Sequence, residues 1–164
     1  MTSNSKEQLI EDMKKLINTL IDNQTSSDDK EIKWMYDHCQ NDALKPIIRK
    51  MTVLMLHVLE SIDAHENINC KVISEETNIL KGTVSKIAKK LLDLGLVTYE
   101  YQENNKKEKL YKSTKLGSEM SILHMNMHKV YHKALISHLS SFSNEDFDTT
   151  SKMIKAFLDF DIKK

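Results

Sequence analysis

The chain has 164 residues, with 24 basic and 24 acidic side chains in formal balance, 40% apolar residues and two cysteines. This length suits one domain with a core of its own, and the neutral total excludes nucleic-acid binding by bulk charge. Cys39 and Cys70 lie far apart and form neither a CxxC nor a disulfide framework. The N-terminus is too polar for a signal peptide, and the longest apolar stretch, 51–59, is too short for a bilayer. The expected location is therefore the cytoplasm.

Residues 6–24 place Leu9, Ile10, Met13, Leu16, Ile17, Leu20 and Ile21 on one broad face, which predicts a helix in need of a partner. A polar break is expected over 25–29. A second helix, about 28–39, turns Ile32, Met35 and Tyr36 inward with Trp34 on a flank. Asn41 or Asp42 can cap the next helix, whose first turn tolerates the only proline, Pro46. It is expected to run unbroken to about Ile62 through Ile47, Ile48, Met51, Leu54, Met55, Val58 and Leu59, with a loop over 64–67.

The next stretch, 70–97, reads as a short helix, a four-residue turn and a second amphipathic helix. Val72, Ile73 and Thr77 are expected inward, and Asn78-Ile79-Leu80-Lys81 forms the turn. The second helix buries Val84, Ile87, Ala88 and Leu91 at i, i+3, i+4, i+7 and ends at Gly95, a residue suited to a left-handed cap. Two alternating strands follow, with Asn104-Asn105-Lys106-Lys107 as the expected turn. Helix-turn-helix plus hairpin makes a winged helix.

Beyond the wing, a long helix is expected from Leu116 to about Ser141, with Met120, Leu123, Met127, Val130, Ala134 and Leu135 along it. A polar turn, Ser143-Asn144-Glu145, caps a last helix bearing Phe147, Met153, Ile154, Phe157, Leu158 and Ile162. The fold class is mainly α: N-terminal helices over 1–50, a winged helix-turn-helix over 51–115, and a long helix with a C-terminal helix over 116–164. Apolar stripes at both ends imply a homodimer built from the termini.

Charge distribution points to double-stranded DNA as the partner. Between Lys81 and Lys115 there are nine lysines against Asp93, Glu100, Glu103 and Glu108. Thr83, Ser85 and Lys86 are expected nearest base edges, with Lys81, Lys89 and Lys90 nearer phosphates. On the wing, Asn105, Lys106, Lys107 and Lys109 are expected to approach the backbone or minor groove. No Gly-rich phosphate loop, paired catalytic carboxylates or nucleophile with a placed base is visible, so no enzyme is expected.

This order of elements resembles the MarR family of dimeric winged-helix transcription regulators over essentially the whole length. The strongest local match is NILKGTVSKIAKKLLDLGLV, then the wing and Ser113-Thr114-Lys115-Leu116-Gly117. The family's wing usually carries Asp-x-Arg, where this chain has Asn105-Lys106-Lys107, and lysine lacks the planar fork of arginine. The register is also similar to the zinc-sensing branch of the family, that of the adhesin competence repressor. That resemblance implies zinc ligands at His57, reached five residues on from Thr52, and at His124 and His128, reached from Thr114. His38-Cys39 resembles a His-Cys pair whose Cys serves a secondary metal site.

Two histidines at i and i+4 stack on one helix face, and a third imidazole makes a nitrogen-rich site of the kind zinc favours. The branch's first-helix glutamate falls at Lys33, leaving Glu31, Asp37 or water as the fourth ligand. Leu56 and Leu123 stand where a second site would need acids, so one complete site is expected. The expectation is a dimeric repressor of inverted-repeat operators with zinc as corepressor. Its alternatives are a regulator answering a small organic ligand or an oxidant through Cys39, and a winged-helix module that binds protein and not DNA.

Overall fold

A computed structural model describes residues 5–22, 24–102 and 105–160, with the backbone alone for 21–22, 24–28, 102 and 105–107. The order is α1 (Lys6–Asp22), α2 (Gln24–His38), α3 (Lys45–Ile48), α4 (Val53–Asp63), α5 (Cys70–Thr77), α6 (Lys81–Asp93), β1 (Val97–Gln102), β2 (Asn105–Ser113), α7 (Lys115–His138) and α8 (Asn144–Leu158). The chain divides into two compact units, residues 1–127 and 128–164, and the division falls inside the continuous helix α7.

In the first unit, α4, α5, α6 and the hairpin enclose the core. Val84, Ile87, Ala88 and Leu91 form the buried stripe of α6, as their spacing predicts. Gly95 takes φ +70°, and its N–H and that of Leu96 close the helix end on the Leu92 and Leu91 carbonyls. The antiparallel hairpin pairs Val97 with Ser113 and Tyr99 with Tyr111, with a register shift at Tyr101/Gln102. Ile68 bridges to Tyr111, tying the entry of α5 to the wing. Asn69 then caps α5 by accepting from the N–H groups of Lys71 and Val72.

Several expectations are corrected. The helix expected to run unbroken to Ile62 is two helices, because Thr52 is extended (φ −118°, ψ 158°) and its hydroxyl accepts from Met55 N as the cap of α4. Leu54, in the first turn of α4, is consequently exposed. Residues 25–29 are helical and belong to α2, since acids in the N-terminal half of a helix oppose no dipole. Val72 is exposed while Ile73 is fully buried, because the two lie about 100° apart around α5 and the core is on the Ile73 side. Strand β2 begins at Asn105, so Asn105, Lys106 and Lys107 belong to the strand and not to the turn; β-ladder pairing of Gln102 with Asn105 shortens the connection. Residues 103–104 lie outside the described residues.

At the N-terminus, α1 has its predicted apolar face, yet Leu9, Ile10, Leu16 and Leu20 are exposed, and among the apolar side chains described on it only Met13 and Ile17 are half-buried. The second unit holds the end of α7 and all of α8. Ser143 caps α8 through a capping box with Asp146, and none of the helix's residues is buried. Ile162 lies outside the described residues. No helix among the described residues is long and apolar enough to cross a membrane.

Candidate nucleic-acid interface and metal centre

The start of α7 positions the histidines. Thr114 accepts from Gly117 N through its hydroxyl oxygen and donates its hydroxyl proton toward the Gly95 and Leu96 carbonyls. Gly117 allows the close approach: a Cβ there would lie 1.9 Å from Leu96 O. Met120 and His124, one and two turns further on, are both fully buried. Across from them α4 carries His57, exposed, and Glu60, half-buried.

His57, His124 and His128 offer ring nitrogens that all lie within 4.8 Å of one another. The His57 and His124 ring centroids are 5.8 Å apart at 43°. His124 Nδ1 lies 2.8 Å from Glu60 Oε1. A carboxylate only accepts, so Nδ1–H donates and Nε2 is directed to the other side, where Glu31 Oε2 stands 3.5 Å away. Donor atoms around tetrahedral zinc lie roughly 3.4 Å apart, and rotation of the two exposed rings covers the difference. Three imidazoles, a carboxylate and a carboxylate-held ring nitrogen fit zinc.

Of the fourth-ligand alternatives, Glu31 borders His124, whereas Asp37 is exposed. His38 stacks on Trp34 with centroids 3.9 Å apart and donates from Nδ1 to the Trp34 carbonyl. Cys39 is 6% exposed and its thiol donates to Asn41 O. Leu56 is 1% exposed in the core, where the second site's acid would have stood.

The lysine face lies on the opposite side of α6 from its core stripe. Lys81, Ser85, Lys86, Lys89 and Lys90 are exposed and Thr83 is half-buried. Lys81, Ser85 and Lys89 line a groove of about 840 Å³ that continues over Lys71 of α5 to Tyr99 and Lys109 of the wing. Lys109 Nζ sits 4.0 Å above the Tyr99 ring, which holds the charge at the groove edge. Asp93 and Glu108 also line it. At its floor, burial pushes the Cys70 thiol above its usual value and the Tyr111 hydroxyl up to about 12. The side chains of Asn105, Lys106 and Lys107 lie outside the described residues.

Residues 51–109, from the cap of α4 to the wing, match the MarR family model. The chain is 29% identical over 124 residues to the HTH-type transcriptional regulator PchR of Bacillus subtilis, covering 76% of this chain and 72% of that protein. The winged-helix stretch 51–109 is thus of the MarR type. The structure of the adhesin competence repressor of Streptococcus pyogenes superposes with a TM-score of 0.62 at 16% identity, covering 92% of this chain and 96% of that one. That of FabT of Streptococcus pneumoniae in complex with DNA gives 0.63 at 15% identity, with 91% and 94% covered. Both share the fold, and the match to a named transcriptional regulator supports a regulator of the MarR type. No enzymatic role attaches to them.

One residue of the candidate site escapes a reading of the sequence by motif. Glu60 follows His57 by three residues and so shares its helix face, a spacing that could have marked it. Glu31, which the sequence offers beside Asp37 and water, is singled out only by its place against His124 of α7.

Proposed function

We propose that this MarR-type regulator is a zinc-responsive dimeric repressor that binds inverted-repeat DNA more tightly when metal is present. The observation that carries the reading is the convergence of His57 on α4 with His124 and His128 on α7, with Glu31 bordering His124. These four residues would hold the ion. When bound, zinc supplies a multi-bond cross-link between the first helix of the DNA module and the long helix.

The chain's own residues do the rest. His57 sits on α4, whose next residues reach the helix-turn-helix: Ser61 donates to Glu76 of α5. Asp63 accepts from Ser113 at the end of the wing and from Ser118 of α7. Gathering the three rings therefore restricts how α4 moves against α7, and with it the placement of α6. A metal shifts that equilibrium only by binding the DNA-competent arrangement better than the other. In the DNA-bound arrangement Thr83, Ser85 and Lys86 face base edges, while Lys81, Lys89, Lys90 and the wing residues Asn105, Lys106, Lys107 and Lys109 meet phosphates and the neighbouring groove.

The dimer reading rests on the terminal helices. An α8 of 15 residues with no buried side chain is marginal by itself, and α1 exposes Leu9, Leu16 and Leu20. A second copy of the chain is the partner those faces require. Two-fold symmetry then sets half-sites about one helical turn, roughly 34–36 Å, apart.

The test is fluorescence anisotropy on an inverted-repeat DNA obtained by selection, at fixed salt, first with a chelator and then with buffered zinc. Tighter binding with zinc that disappears in the His124→Ala/His128→Ala variant supports the proposal. Equal wild-type affinity in both conditions removes zinc control and leaves a MarR-type DNA-binding protein with another effector.

A further inference from the structure

We infer that Glu60 is the positioning residue of the metal centre, fixing which nitrogen of His124 faces the other ligands. The inference rests on the zinc reading above and deepens it. His124 has 0% exposure, so its ring cannot turn to water to find partners. Glu60 Oε1 takes the Nδ1 proton at 2.8 Å. That contact selects the tautomer with hydrogen on Nδ1 and leaves the basic nitrogen, Nε2, on the side of Glu31.

The helix supplies this arrangement economically. His57 and Glu60 are three residues apart on α4, so one turn presents both a ligand and the carboxylate that orients the ligand opposite. The negative charge does a second job: a carboxylate on the far nitrogen strengthens the donor power of the near one. A glutamine at position 60 keeps an oxygen acceptor for Nδ1–H but drops the charge. An alanine drops both. The order of metal affinity is therefore wild type, then Glu60→Gln, then Glu60→Ala.

The experiment uses the full chain as wild type, Glu60→Gln and Glu60→Ala, with zinc alone as the probe. Zinc affinity is read by competition with a chromogenic chelator, and the ring nitrogens of His124 in metal-free protein by long-range proton–nitrogen NMR. The expected result is a tenfold to hundredfold loss of zinc affinity in Glu60→Ala and a smaller one in Glu60→Gln. His124 should show hydrogen on Nδ1 in the wild type and Glu60→Gln, and a mixed or reversed state in Glu60→Ala. Thermal melting of the metal-free variants checks folding, and should Glu60→Ala not fold, Glu60→Gln decides alone through its affinity. Wild-type zinc affinity in the variants overturns the inference while leaving the zinc reading intact. Absence of any zinc-dependent change in the ring signals of wild-type His57, His124 and His128 overturns both.

Discussion

Replacing Gly117 by alanine tests how α7 is seated on the DNA module. The added Cβ would lie 1.9 Å from Leu96 O and 3.0 Å from Leu96 C, both backbone atoms that no rotamer change can move. Ordinary contact requires a displacement of more than an ångström. The Leu96 carbonyl already accepts from Thr114 N at 3.0 Å and from the Thr114 hydroxyl at 3.1 Å. Overpacking costs about 1–3 kcal/mol, and losing or weakening two hydrogen bonds adds about 1 kcal/mol each. The sum, about 3–5 kcal/mol, corresponds to a melting temperature lower by roughly 6–20 °C for a chain of this size. Circular dichroism melts of the metal-free protein measure it. A decrease below about 2 °C would refute the close approach of α7 to Leu96.

Other expectations concern pH, thiols and DNA. The Glu76 carboxyl is held below its usual 4.5 by the Ser61 hydroxyl and the His65 ring N–H. Its folded value is depressed, so its contribution is present above about pH 4.5 and lost as pH falls through the folded value; Glu76→Gln should flatten the drop in melting temperature on acidification, and an unchanged slope would contradict this. Burial raises the Cys70 thiol and leaves Cys39 6% exposed, so both should react slowly with a disulfide reagent in native protein and quickly in denaturant. Rapid native modification of Cys39 that abolishes DNA binding would instead favour oxidant sensing. Lys81→Ala and Lys89→Ala should each weaken binding across DNA sequences and reduce the slope of log affinity against log salt by about one; an unchanged slope would place that lysine off the phosphates.

The helix-turn-helix was legible because its signals are local. The i, i+3, i+4, i+7 stripe of α6 and the positive φ of Gly95 need no knowledge of the rest of the chain. The division between α3 and α4 was not, since apolar residues stay in helical register through Thr52 and only the cap geometry reveals the stop. Adjacent Val72 and Ile73 are equally apolar, and only packing decides which one faces the core. In the candidate metal centre, His124 and His128 stand out by spacing on one helix. Glu60 becomes visible, and Glu31 is separated from Asp37, only when the fold brings α4 and α2 against a buried imidazole.

The central claim is that zinc at the histidine cluster and DNA at the winged helix are linked. Linkage is reciprocal: whatever factor zinc adds to DNA affinity, DNA must add to zinc affinity. The most direct measurement is therefore a competitive zinc titration of the full chain with and without saturating operator DNA at one salt concentration. The account predicts tighter zinc binding on DNA, by the same factor as zinc tightens DNA binding, and no difference in His124→Ala/His128→Ala. Equal zinc affinity with and without operator would contradict it.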